Sequence, residues 1–545
     1  MKNLFAIIVL FVLALTSCHF KNKDADMILH NAVIYAVDDS FNTYEALAIK
    51  DGRIIAIGKE REILNEYNAP KVIDCGKKFI YPGFIDAHCH FLGYGRTLQQ
   101  VNLVGTTSFD EVIQRVVEHA KQSKDEWITG RGWDQNDWSV QEFPDRQILD
   151  SLFPNRPVML KRIDGHAMLV NEKALELAGI NLATIVEGGT IVYQNGRLTG
   201  VLVDNAMNLV ENIIPHPTKE FDIRALLDAQ KNCFNVGLTT VDDAGIMKED
   251  IDLIKELHAK GDLKMRIYAM LSDQKSNYDY YLHHGIDTTD RLSVRAFKFY
   301  ADGALGSRGA CLLAPYSDVM PGPVYGMLLD SIAHFRRSMW ELRERGFQVC
   351  THAIGDSANR AILNIYEEMT VDLPDLRWRI EHAQVVHEND LPRFGKLNII
   401  PSIQPTHATS DMPWAELRLG RNRVRRAYTY RELKEQMGMT ALGTDFPIED
   451  ISPIKTFYAA VSRKDLNGQP EEGWQKENAL TREDALRGMT IWAAIANFEE
   501  NKKGSLEVGK FADIVMLDRD ILKVEEKDLP TTEVLMTIVG GEVVK

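Results

Sequence analysis

The chain has 545 residues, 45% hydrophobic and 26% charged, with 37 Gly and 19 Pro. Those are proportions of a globular protein with room for several domains, and they exclude a disordered or collagen-like chain. Asp and Glu outnumber Lys and Arg by 78 to 63, a formal charge of −15 that opposes a phosphate backbone and argues against nucleic acid as a partner. After the first 17 residues no long charge-free apolar span appears, which excludes a polytopic membrane protein.

Lys2 precedes an apolar run over 4–15, followed by Thr16, Ser17 and Cys18. A positive start, a short apolar core and small residues mark a secretory signal. The run is shorter than the ~20 residues that span a bilayer. Leu15-Thr16-Ser17-Cys18 resembles a bacterial lipoprotein box. The expectation is that residues 1–17 are removed, Cys18 is lipidated, and 18–26 tether an exported protein to a bacterial membrane, on the periplasmic side or the cell surface. A plain secretory signal with Cys18 near the cut is the alternative. Cys75, Cys89, Cys233, Cys311 and Cys350 show no CxxC spacing, so neither a zinc ribbon nor a disulfide framework is indicated.

From 27 to 73 the pattern is strand-like, and Asp51-Gly52 inside the alternating stretch 46–57 signals a hairpin. The C-terminus answers with a strand over 512–517 and a hairpin over 534–544 around Gly540-Gly541. Neither end can form a sandwich alone, so 27–78 and 500–545 are expected to build one composite β-sandwich domain. Between them, apolar β runs alternate with amphipathic stretches. Eight candidate strands, at 80–86, 239–243, 265–271, 294–300, 348–352, 377–383, 399–403 and 440–445, suit an α/β protein with a (β/α)8 TIM barrel over 79–94 and 226–499. About 150 residues separate His90 from Gly237, far more than one helix and two loops need. Ser108 with Glu111 forms a capping box there and Asn195-Gly196 sits in a hairpin. An α+β insertion over 95–225, lying above the barrel mouth, is expected.

The chemistry falls at strand ends. His88 and His90 follow the first candidate strand at i and i+2, so both imidazoles project together and can share a metal. Lys298 lies in an apolar strand, where a lone ammonium is costly. Either a salt bridge, for instance to Asp302, or carboxylation by carbon dioxide would relieve it. His352, His382 and Asp445 each end a later strand. Glu381, beside His382, is expected to face away from the metal and brace the barrel exterior. His283, His284 and His387 read as solvent-facing, and His407 has no assignment.

Two histidines, a lysine, two further histidines and an aspartate, each at a strand end and in barrel order, resemble the metal-dependent amidohydrolase superfamily. Gly130-Arg131-Gly132-Trp133-Asp134, Arg162-Ile163-Asp164-Gly165-His166, the run from Ala301 to Arg308, His352 to Asp356 and Arg379 to Gln384 resemble one branch, the N-substituted formamide deformylases and related exported hydrolases. The resemblance implies a small-molecule hydrolase acting on carbon–nitrogen bonds other than peptide bonds. Its metal ligands would be His88, His90, Lys298, His352, His382 and Asp445, holding one or two divalent ions. Zinc suits such ligands best, with iron or manganese as alternatives. Asp445 would move the proton, and a carboxylated Lys298 would bridge two metals. Trp133, Asp164, His166, Asp302 and Arg308 would line the substrate pocket, and a homodimer is left open. Two other readings stand beside this one. Mononuclear deaminases of the superfamily place a glutamate three residues after the fifth-strand histidine, where this chain has Gly355. A lipid-anchored binding protein on a disabled scaffold would lack a ligand.

Overall fold

A computed structural model describes residues 23–545, apart from 136–137, 141, 163–166, 187–188, 216, 307, 319–321 and 371–374. Cys18 and the expected signal segment lie outside the described residues. The chain divides into two compact units. One runs to Phe91 and resumes at Gln230–Lys545; the other is Leu92–Ala229.

In the first unit eight strands lie side by side, all parallel. They are β1 (Phe84–Cys89), β2 (Leu238–Ile246), β3 (Arg266–Ser272), β4 (Leu292–Tyr300), β5 (Gln348–Ala353), β6 (Arg379–His382), β7 (Ile400–Ile403) and β8 (Ala441–Leu442). The sheet curls into a nearly closed barrel. Just past β8 the Asp445 amide donates to the His88 carbonyl at 2.7 Å. The Thr444 amide and hydroxyl donate to the Asp86 carboxylate at 3.0 and 2.7 Å. Crossover helices follow the strands, as right-handed parallel connections require. Helix Lys248–Lys260 shows the local logic: Ile251, Ile254 and Leu257 recur at helical spacing on its buried face, and Gly261 at φ 77° ends it.

The run 80–86 is not one barrel strand. Phe79–Pro82 pairs antiparallel with Ile514–Leu517, and β1 begins at Phe84. Gly83 is the joint, because a Cβ there would stand 2.3 Å from the Thr239 side chain. The chain can step from one sheet to the other only where no side chain intervenes.

Phe79–Pro82 belongs to a six-stranded sheet in which Val33–Tyr35 and Ile514–Leu517 flank it, so the two chain ends share one sheet. A four-stranded sheet holds Met27–His30 between Ala46–Lys50 and Lys71–Asp74. Leu29, Ile34, Ile49, Ile80, Ile514 and Ile538 fill one core between them. Asp51 and Gly52 both take positive φ, 50° and 74°, the twist that a tight hairpin demands. Among the described residues no helix is long and apolar enough to cross a membrane.

The second unit carries its own six-stranded mixed sheet, with Ile128–Trp133 next to Val158–Arg162 near its middle. Helix Phe109–Gln122 is capped by Ser108, whose side chain accepts from the Glu111 amide at 3.2 Å. Glu111 in turn accepts from the Thr107 amide, one residue earlier than a capping box places it.

Candidate metal centre

β1 carries His88 at its end, and His90 stands two residues on. In both rings Nδ1 is already engaged, His88 with Glu381 Oε2 at 2.6 Å and His90 with the Ala244 carbonyl at 2.8 Å. His382 at the end of β6 repeats this, with Nδ1 2.7 Å from Gln404 Oε1. Tying Nδ1 to an acceptor fixes the tautomer and leaves Nε2 as the ligating atom. Asp445, past β8, places Oδ1 3.2 Å from His90 Nε2 and 3.6 Å from His88 Nε2. Ligand atoms of His88, His382 and Asp445 lie within 4.8 Å of one another, and all three residues are buried. Lys298 on β4 is fully buried, with Nζ 3.0 Å from His88 Nε2. The His352 ring, on β5, lies 4.6 Å from that of His382. The six residues singled out in the sequence thus meet at one place.

Two buried atoms among them have no hydrogen-bond partner among the described residues, Asp445 Oδ1 and His352 Nε2. Orphaned acceptors facing convergent imidazoles are what a divalent cation satisfies, so the donor set fits a metal. Burial, then the Lys298 charge, pushes the His352 imidazole down to about 3. Burial and the neighbouring rings hold His382 well below the usual imidazole value. Burial also lowers the Lys298 ammonium. Burial alone would raise Asp445, yet the adjoining His407 and His90 imidazoles hold it well below the usual carboxylate range. Neutral imidazoles and an ionised aspartate are the ligand forms of such a site.

Several expectations are overturned. Glu381 does not brace the exterior. It is fully buried, contacts His88 as described, and is pushed down to about 2, the adjoining His88 ring and the Arg379 guanidinium outweighing its burial. The reason is local: His382 and Ala383 adopt φ of 73° and 43°. A left-handed turn at the strand end breaks the alternation of faces, so neighbours 381 and 382 both serve the centre. Trp133 is a core residue of the second unit, with its indole donating to the Leu160 carbonyl at 2.7 Å. A side chain 1% exposed offers no surface to a substrate.

Asp302 is turned to the backbone: it accepts amides of Ile354 at 3.0 Å and of Gly355 and Cys311 at 2.8 Å. Burial raises it to about 7 against those bonds. Its oxygens tie down the turn after β5, and it forms no ion pair with Lys298. Among the described residues no carboxylate lies within 4 Å of Lys298 Nζ. Arg308 is paired with Asp318, at 3.1 and 2.9 Å. Asp164 and His166 lie outside the described residues. His283 and His284 are exposed, as expected, and His387 is half-buried.

Sequence reasoning left His407 unassigned, yet it reaches the centre. It sits in the first turn of helix Pro405–Arg423, with Nε2 3.2 Å from Asp445 Oδ2 and Nδ1 3.1 Å from Glu449 Oε1. Burial would lower it, but the two carboxylates push it up to about 10. Its signal was its place four residues beyond the strand that ends at Ile403. Gln404 and Glu449 carried no such signal.

The sequence profile of the amidohydrolase family matches residues 71–545. The chain belongs to the amidohydrolase family. It is 31% identical over 535 residues to YtcJ of Bacillus subtilis, covering 95% of this chain and 99% of that one. It is 26% identical over 543 residues to the N-substituted formamide deformylase of Arthrobacter pascens, covering 95% and 97%. An uncharacterized metal-dependent hydrolase from Pyrococcus horikoshii superposes with a TM-score of 0.78 at 28% identity, over 92% of this chain and 99% of its own. As a member of the family this chain is a metal-dependent hydrolase of small molecules, and His88, His382 and Asp445 form its candidate metal site.

Proposed function

We propose that this amidohydrolase cleaves the C–N bond of an amide-type substrate, an N-formyl or N-acyl amine, with Asp445 as the proton carrier. The observation that carries the reading is the buried Asp445 Oδ1, on a carboxyl held well below its usual range. It has no hydrogen-bond partner of good geometry among the described residues and lies 3.2 and 3.6 Å from Nε2 of His90 and His88. A divalent cation, most suitably zinc, held by His88, His90, His382 and Asp445 with Lys298 and His352 would lower the pKa of water and polarise the carbonyl. Asp445 accepts the proton of the attacking water; oxygen bonds to the acyl carbon, the C–N bond breaks, and Asp445 returns the proton to the departing nitrogen. Glu381 and Gln404 hold the imidazoles in register throughout.

Lys298 is proposed to be carboxylated. Burial favours its neutral amine, and addition of carbon dioxide forms an N–C bond, releases one proton and leaves an anion beside the cation site. Three extra heavy atoms on Nζ in a density map are expected; a bare lysine beside a single metal would overturn this part.

The deaminase reading is disfavoured beyond the missing glutamate. A Cβ at Gly355 would stand 2.0 Å from the Cys311 carbonyl oxygen, so that position has no room for any side chain. A disabled scaffold is disfavoured because all six ligand positions are filled and convergent. We also propose that Cys18 is lipidated and anchors an exported chain; Cys18→Ala should release the protein from the membrane fraction, and unchanged association would refute it. The chemistry is tested by assaying the purified, zinc-loaded protein on N-formyl amines, N-acyl amino acids, lactams and esters. Turnover of the first two classes is expected, and turnover of esters alone would overturn the amide assignment.

A further inference from the structure

Asp445 has two oxygens in different surroundings, and the difference comes from one side chain. Oδ2 lies 3.2 Å from His407 Nε2, whereas Oδ1 has no hydrogen-bond partner among the described residues and faces Nε2 of His90 and His88 at 3.2 and 3.6 Å. Rotation about the last torsion of an aspartate is soft and nearly two-fold, so nothing within the residue chooses which oxygen faces the centre. His407 is itself held from behind: Nδ1 lies 3.1 Å from Glu449 Oε1, and the Ser410 hydroxyl donates to that same oxygen. Its ring lies 5.8 Å from the His382 ring. His407 belongs to a helix and not to a barrel strand, so it reaches Asp445 from outside the ring of strands that supplies the ligands.

We propose that His407, oriented by Glu449, is the positioning residue that dedicates Asp445 Oδ2 to a fixed hydrogen bond and leaves Oδ1 for the cation and the travelling proton. The assignment rests on the reading of Asp445 as proton carrier, but its geometric part, the presentation of Oδ1, stands on the distances alone. Outer partners of this kind are worth about 10–100-fold in metal affinity or activity.

The test uses full-length wild type, His407→Leu, His407→Gln and Glu449→Gln. Zinc affinity is measured by chelator competition, kcat and KM on the amide panel, and unfolding temperature on the metal-free proteins. His407→Leu should weaken zinc binding about 10–100-fold and lower kcat, while KM moves less than about threefold. His407→Gln, whose amide can still donate to Oδ2, should recover most of both losses. Glu449→Gln should show a smaller change of the same sign. Wild-type zinc affinity in His407→Leu overturns the proposal, as does an equal loss in the Leu and Gln variants. A lower unfolding temperature with unchanged zinc affinity would make His407 a structural brace and also overturns it. If wild type turns over no amide, the functional reading falls, while the zinc titrations still decide the role of His407.

Discussion

The barrel holds two buried polar layers, and they are built on opposite principles. Toward the strand starts, charges meet their opposites. Arg379 donates to the Asp242 carboxylate at 3.0 Å and to the Ala87 carbonyl at 3.2 Å, and Asn497 donates to Asp242 at 2.7 Å. Arg266 forks onto Asp513 at 2.6 and 3.0 Å, with the Phe511 ring 3.8 Å from its guanidinium. At the mouth the sums do not balance locally. Among the described residues Lys298 has an imidazole for a partner and no carboxylate within 4 Å, and acceptor atoms of Asp445 and His352 are left open. His382 and Asp445 hold left-handed backbone, φ 73° and 63°, each at a cost on the order of 1–3 kcal/mol. Both layers are buried, so burial does not distinguish scaffold from site. The local charge mismatch does: Arg379 leaves Nε without a partner yet meets its opposite charge, whereas the open ligand atoms of the mouth are ones that a bound cation would complete.

The contrast is open to direct attack. Asp445→Asn keeps shape and a ligating oxygen but cannot take a proton. Its kcat should fall by about 10²–10⁴ with KM changing much less, while urea unfolding stays near wild type. A variant that keeps its turnover would move the proton carrier elsewhere.

Arg379→Met should do the reverse. Stranding the buried Asp242 carboxylate should cost about 3–5 kcal/mol of unfolding free energy, read from urea titration, and the molecules still folded should bind zinc as wild type does. Zinc binding lost ahead of stability would mean the layers are not separate.

Lys298→Met removes a buried amine that, among the described residues, no carboxylate pairs with. The metal-free protein should be as stable as wild type or more stable by about 1 kcal/mol, and zinc stoichiometry should fall. A marked loss of stability would show that the lysine belongs to the scaffold.

The smallest effect is expected at the strand-start end, through His258. This residue bonds the Met265 carbonyl at 3.1 Å just before β3, and burial pushes it down to about 4. The unfolded imidazole takes its proton near 6.5, so between there and about 4 the unfolded chain binds more protons. Stability contributed by neutral His258 is whole above pH 6.5 and drains away as pH falls to about 4. His258→Gln should flatten that part of the stability profile and leave the rest unchanged. An unaltered acid slope would put the titration on another group.

Much of the architecture was legible because it rests on short-range rules. Period-two and helical patterning marked the strands and crossovers, Asp51-Gly52 carried its own hairpin, and the i, i+2 spacing of His88 and His90 forced two imidazoles to one side. The donor side chains of the candidate site, His88, His382 and Asp445, were legible at strand ends for the same reason, since the barrel places every strand end at one mouth. Gly355, standing where deaminases place a glutamate, spoke against that reading from the sequence alone. Three features escaped, each depending on a contact between distant segments. Phe79–Pro82 parted from β1 because Ile514–Leu517, more than 400 residues away in sequence, offered it an antiparallel partner. Glu381 turned inward because left-handed backbone at His382 and Ala383 cancelled the alternation that sequence reading assumes. His407 entered the centre from a helix, where no strand periodicity could point to it. Local sequence determined which groups were present and at which strand end. Tertiary structure decided which of their atoms face one another, because that depends on backbone turns and packing partners that no window of neighbouring residues contains.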